Sequence, residues 1–189
     1  MGMFEYVAVL TSIIVGLGIT HLLQGTARLI QHPDAGRPYW VHLTWVFYMF
    51  LNSVFWWWWE FRLTRLELWT FQVYIFVILF AVVLYMLCAL LYPVSLDGYK
   101  GFKDYFYSRR GWFFGLSIIF LLIDVSDTLL KGADYFGSLG PEYIVVRILK
   151  LILYGIAIRS KNERFHGFFA AASVLYQVSW ALRFYETVA

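Results

Sequence analysis

The chain has 189 residues, of which 61% are hydrophobic, 22% aromatic and only 14% charged, with a formal net charge of +3. That is more apolar surface than a water-soluble core of this size can hide, so lipid must solvate much of it. No tail, linker or low-complexity run is long enough to form a separate catalytic or nucleic-acid-binding module, so one polytopic domain over 1–189, with no nucleic-acid partner, is expected. The single cysteine, Cys88, lies in an apolar stretch, which excludes a disulfide framework and a cysteine-based zinc site.

Six apolar segments follow one another, at 4–30, 40–59, 69–92, 111–130, 141–158 and 165–185. Each is close to the roughly 20 residues that cross a bilayer as a helix. The expectation is an all-α integral membrane protein, a six-transmembrane-helix bundle with a polar interior. The first segment has Glu5 and no Lys or Arg ahead of its apolar run, the wrong start for a signal peptide, and Tyr6 stands where a myristoylation signal needs Ser or Thr. It is expected to persist as a helix. Ser12, Gly16 and Thr20 form a small-residue stripe suited to close packing inside the bundle, or between copies in a homo-oligomer. His21, Gln24 and Arg28 form a polar stripe beside it.

After the break HPDAGRP, the second segment aligns His42, Met49, Ser53 and Glu60 on one face, with Asn52 on its flank. The third has almost no polar group beyond Gln72, so this helix is expected to be peripheral and lipid-facing. The following loop, DGYKGFKDYFYSRRGW, puts Tyr99, Phe102 and Phe106 on one helical face, with Lys100 and Asp104 on another, the pattern of a segment lying along a membrane surface. Its basic residues would meet anionic lipid there. In the fourth segment Ser117, Asp124, Asp127, Thr128 and Lys131 fall within an arc of roughly 100°. The fifth opens with Pro141, suited to a first helical turn, and aligns Tyr143, Arg147, Lys150 and Tyr154. The sixth aligns His166, Ser173 and Gln177 beside Trp180 and Arg183.

Loops one, three and five hold nine Lys and Arg residues against four on the other side. The positive-inside rule then places these loops in the cytoplasm and both termini outside, in what is expected to be a bacterial inner membrane.

The fourth helix rises where the fifth descends, so at about 1.5 Å per residue Asp124 and Arg147 reach the same depth, roughly 10 Å below the outer boundary. They are expected to pair, with Asp127 and Lys150 as a second acid and base. Such a neutral set is either a clasp that docks two helices or a site where a desolvated group exchanges a proton or binds an ion. On the second reading the protein transports or conducts a proton, ion or small solute. Asp124, Asp127, Arg147 and Lys150 form the outer gate or relay, Asn52, Ser53 and Gln177 line the middle, and His21, Gln24 and His42 carry the path to the cytoplasm.

Two alternatives are a membrane-embedded enzyme or redox protein acting on a lipophilic substrate, and an assembly subunit of a membrane complex. No Walker A loop, G-x-S-x-G elbow, H-E-x-x-H or Rossmann fingerprint occurs. Asp124 and Asp127 lack the second acidic motif of a diphosphate enzyme, the histidines lie at depths mismatched for a shared haem, and His21, His42 and His166 have no compact metal-ligand spacing. No metal site and no particular cofactor is expected.

Overall fold

The computed structural model describes residues 2–32, 37–66 and 68–184. Tyr185, the expected end of the sixth segment, and most of the HPDAGRP break lie outside the described residues. Among those described there are seven α-helices and no strand: α1 (Met3–Gln31), α2 (Trp40–Glu60), α3 (Phe71–Ala89), α4 (Phe102–Leu130), α5 (Ala133–Ser138), α6 (Gly140–Arg159) and α7 (Glu163–Phe184). Three of them, α1, α3 and α4, are long and apolar enough to cross a membrane, with mean hydropathies of 2.0, 2.5 and 2.0 over 18-residue stretches.

Local chemistry sets the helix ends. The Thr70 hydroxyl accepts from the Val73 amide at 3.3 Å and opens α3. Pro141 occupies the first turn of α6, where its missing N–H costs nothing. Gly132 and Gly140, with φ of +120° and +72°, take turns that a side chain would strain, and they bracket the short α5 that no apolar segment announces.

Three expectations are corrected. First, residues 102–110 do not form a separate surface segment but are the first turns of α4, burying Phe102, Tyr105 and Phe106 in the bundle. Phe102 stacks on His42 with ring centroids 5.0 Å apart.

Second, α3 is not peripheral. It packs against α1, α4 and α2, burying Val77, Phe80, Ala81, Leu84, Leu87 and Cys88. A helix apolar all round can give one face to the core and another to lipid, so its lack of polar residues does not choose between the two. The least buried long helix is α6, which encloses only Tyr143, Tyr154 and Ala157.

Third, the α1–α3 contact does not use Ser12, Gly16 and Thr20. It uses the adjoining face, where Gly18 lies against Cys88 and Gly25 lies against the ring of Tyr92, while a Cβ on Gly16 would touch nothing. Both stripes have small-residue spacing, and only the apolar neighbours Val15 and Leu22 mark the inner one.

Candidate functional site

The helices α2, α4, α6 and α7 surround a narrow cleft with a cavity volume of about 100 Å³. Leu87 of α3 closes one side, and Tyr135 with Leu139 covers the end near α5. In this arrangement α6 lies along α4 and α7 along α2. Polar residues of four helices thereby face one space, as ionisable residues of a bundle in lipid would.

The charges are arranged in three tiers. Nearest α5, the Lys131 ammonium bonds Glu60 at 2.8 Å and also Asp127, one turn back on its own helix. All three side chains are only 3% exposed. Tyr135 of α5 also lines this end, with the Arg62 guanidinium 4.2 Å from its ring centroid. Burial pushes the Tyr135 phenol upward, opposed by the charges of Lys131 and Arg62, and keeps it a neutral donor.

In the second tier Arg147 pairs with Asp124 at 2.8 Å and lies over the Tyr143 ring at 4.5 Å. The Tyr143 hydroxyl donates to Asp124 at 3.2 Å and lies 2.9 Å from that of Thr128. In the third tier Lys150 donates to the Tyr48 hydroxyl at 3.2 Å, with its ammonium 5.4 Å and 5.6 Å from the Tyr48 and Tyr176 ring centroids. Beside it the Gln177 amide donates to Asn52 at 3.2 Å.

Among the residues lining the cleft, three acids and three bases balance overall but not locally, with the Arg62 guanidinium outside the lining beside Tyr135. With all groups ionised, the first tier carries two carboxylates on one ammonium, the second is neutral, and Lys150 has no carboxylate within 4 Å among the described residues. Trp56 Nε1, Glu60 Oε2, Asp127 Oδ1, Arg147 Nε and Gln177 Oε1 are buried without a hydrogen-bond partner, and all five belong to residues lining the cleft. Unpaired polar atoms cost roughly 1–3 kcal/mol each when buried.

Beyond Tyr48 the space is closed by rings. Trp45 meets Tyr48, Phe113, Phe114 and Phe169 edge-to-face at centroid distances of 5.3, 5.5, 5.3 and 5.3 Å. Neither Trp45 nor Phe114 is exposed at all. The floor is an aromatic plug.

Of the sequence-derived candidates, Asp124 and Arg147 pair as the depth argument requires, and Asn52 with Gln177 lines the middle. Asp127 is not opposite Lys150 but bound to Lys131. Ser53 turns away from the cleft, donating to the Met49 carbonyl at 2.9 Å and lying 3.6 Å from Cys88 Sγ. His21, Gln24 and His42 do not extend the cleft. His42 Nε2 lies 2.5 Å from the Leu91 carbonyl and His21 Nε2 3.1 Å from that of Tyr92, so both satisfy acceptors freed where α3 ends, and Gln24 is exposed.

Sequence reasoning left Glu60, Lys131 and Tyr48 out of the site. The spacing of Asp127 and Lys131 was a readable signal, because residues four apart meet on a helix. Tyr48 gave none. Among the described residues no group of three His, Cys, Asp or Glu side chains converges as metal ligands would. No protein family, curated protein or solved structure matches this chain.

Proposed function

We propose that the chain is a six-span membrane protein and that its cleft is the binding chamber of a small transport protein, which moves a proton, an ion or a small solute. Helices α2, α6 and α7 have 21, 20 and 22 residues, enough to cross a bilayer. Their outward residues support the same reading: Ile148 and Ile152 on α6, Leu175 and Leu182 on α7, and Val54 on α2 are exposed and apolar. With nine cations on the opposite side, the α5 end faces outward, and Arg109 and Arg110 meet anionic lipid at the inner surface.

The observation that carries the proposal is the stack of ionisable groups along a cleft stopped by aromatic rings. A clasp alone would need the Asp124–Arg147 pair, but not a further lysine without a carboxylate facing the same open space. Because the plug interrupts the path, movement requires the chamber to open alternately to each side rather than to conduct as a pore.

The test uses Asn52→Cys. The only native cysteine, Cys88, is buried and silent toward impermeant thiol reagents. A charged methanethiosulfonate reagent added to sealed right-side-out and inverted vesicles should modify the new thiol rapidly from the α5 side and slowly from the other. Modification from the α5 side alone would reduce the chamber to a static pocket and remove transport.

A further inference from the structure

Helices α6 and α7 are consecutive, yet each packs on a different partner, and their backbones stay apart along most of their length. Side chains close the seam between them. Near α5, Arg183 holds Glu142 by two hydrogen bonds of 2.7 and 2.6 Å, with side chains 45% and 41% exposed. Next come Tyr143 against Trp180, at 6.2 Å between centroids, and the Lys150 ammonium 5.6 Å from the Tyr176 ring. Tyr154 against Phe169, at 5.6 Å, completes the seam beside the plug. A wall of side chains opens by rotamer changes, without unpacking a helix pair.

What lies behind the seam has a definite chemistry. Lys150 is the base of the chamber that no described carboxylate neutralises, held by tyrosine faces and one hydroxyl. A single anionic head placed there would balance its tier and make a charge-assisted hydrogen bond. Around it the chamber is lined by Trp56, Leu87, Phe120 and Leu121, which offer a hydrocarbon chain an apolar wall. A fully water-borne anion would leave those walls unused. Outside the seam, α6 and α7 present Ile148, Ile152, Leu175 and Leu182, surfaces that suit acyl chains.

Resting on the transport-chamber reading, we infer that the substrate is an anionic amphiphile that enters from the bilayer between α6 and α7, seating its head on Lys150 and its chain along Trp56, Phe120 and Leu121. The Glu142–Arg183 pair is the outer latch of that doorway.

The probe is a long-chain fatty acid with a mid-chain diazirine, compared with the alcohol and trimethylammonium analogues of equal length. The full chain is reconstituted in phosphatidylcholine vesicles and crosslinks are mapped by mass spectrometry. The acid should label the chamber walls of α2 and α4 about tenfold more than either analogue, the ratio expected of one charge-assisted contact. Lys150→Met should bring the acid down to the alcohol, and Lys150→Arg should restore it. Bridging Glu142→Cys and Arg183→Cys with a flexible bis-maleimide should slow chamber labelling while leaving the lipid-facing residues labelled as before.

Equal chamber labelling by the alcohol, acid labelling confined to residues such as Ile148 and Leu175, or indifference to Lys150→Met would each overturn the inference. Two-sided modification of Asn52→Cys together with an unlabelled chamber would do so while leaving the transport reading in place, for a solute that arrives through water.

Discussion

Both ends of the bundle bury polar side chains, but they treat them differently. Away from α5, His42, His21 and His166 each rest on one backbone carbonyl, at 2.5, 3.1 and 3.0 Å, with aromatic rings packed around them. Both ends keep unpartnered buried atoms, among them Nδ1 of His42 and His166, but only near α5 do the residues that carry them, buried carboxylates and bases, line open space. A neutral ring with one acceptor can be sealed into a core at little cost, whereas an ion needs several partners and retains a solvated side unless all are supplied. The packed end acts as scaffold. The charged end holds the candidate site.

The largest break in this contrast should come from Lys131→Met. It leaves Glu60 and Asp127 side by side without their shared cation, both only 3% exposed, at a cost of roughly 3–5 kcal/mol. Denaturant titration of the purified protein measures the loss, and the triple variant Lys131→Met, Glu60→Gln, Asp127→Asn should recover most of it. If the single variant were as stable as the native chain, the first tier would not be a desolvated charge cluster.

The packed end should respond to volume instead. Adding Cβ in Gly25→Ala places it 2.2 Å from the Tyr92 ring, which also bonds Thr26 at 3.0 Å, so overpacking should cost roughly 1–3 kcal/mol. Gly16→Ala, nine residues earlier and with nothing within 4 Å, should be neutral or slightly stabilising by the same titration. Similar effects of the two would mean that α1 does not dock through its Gly18–Gly25 face.

How much of this was legible follows the same division. Depth arithmetic along two helices was enough to pair Asp124 with Arg147, because a hairpin fixes the register of its own arms. It failed for Lys131 because the residue ends its helix, where a long side chain can turn either to the surface or inward; the choice of Glu60 depends on how α2 meets α4, a contact 71 residues apart in the chain. The pairing of Lys150 with Tyr48, 102 residues away, is hidden for the same reason. Polar stripes found α2, α4, α6 and α7, but they also marked α1, whose His21 and Gln24 do not line the cleft, so a stripe alone does not fix which helix faces it. An apolar helix such as α3 carries no such mark, so its burial was invisible until its neighbours were placed.

The smallest effect on stability, and the sharpest on function, is expected from Asp124→Asn. Its bond to Arg147 is less enclosed than the first tier, with side chains 28% and 22% exposed against 3%, so its loss should cost less than that of Lys131. The fold should survive with Tyr143 still able to donate to the remaining amide oxygen. The second tier, however, would change from neutral to positive and place Arg147 beside Lys150 as an uncompensated cation. If protons are the cargo or are co-transported, flux in proteoliposomes carrying a trapped pH dye should fall at least about tenfold, an increase of about 1.4 kcal/mol in the barrier. Native flux in both Asp124→Asn and Lys150→Met would leave the charged tiers as a clasp between helices and remove the relay from the chamber.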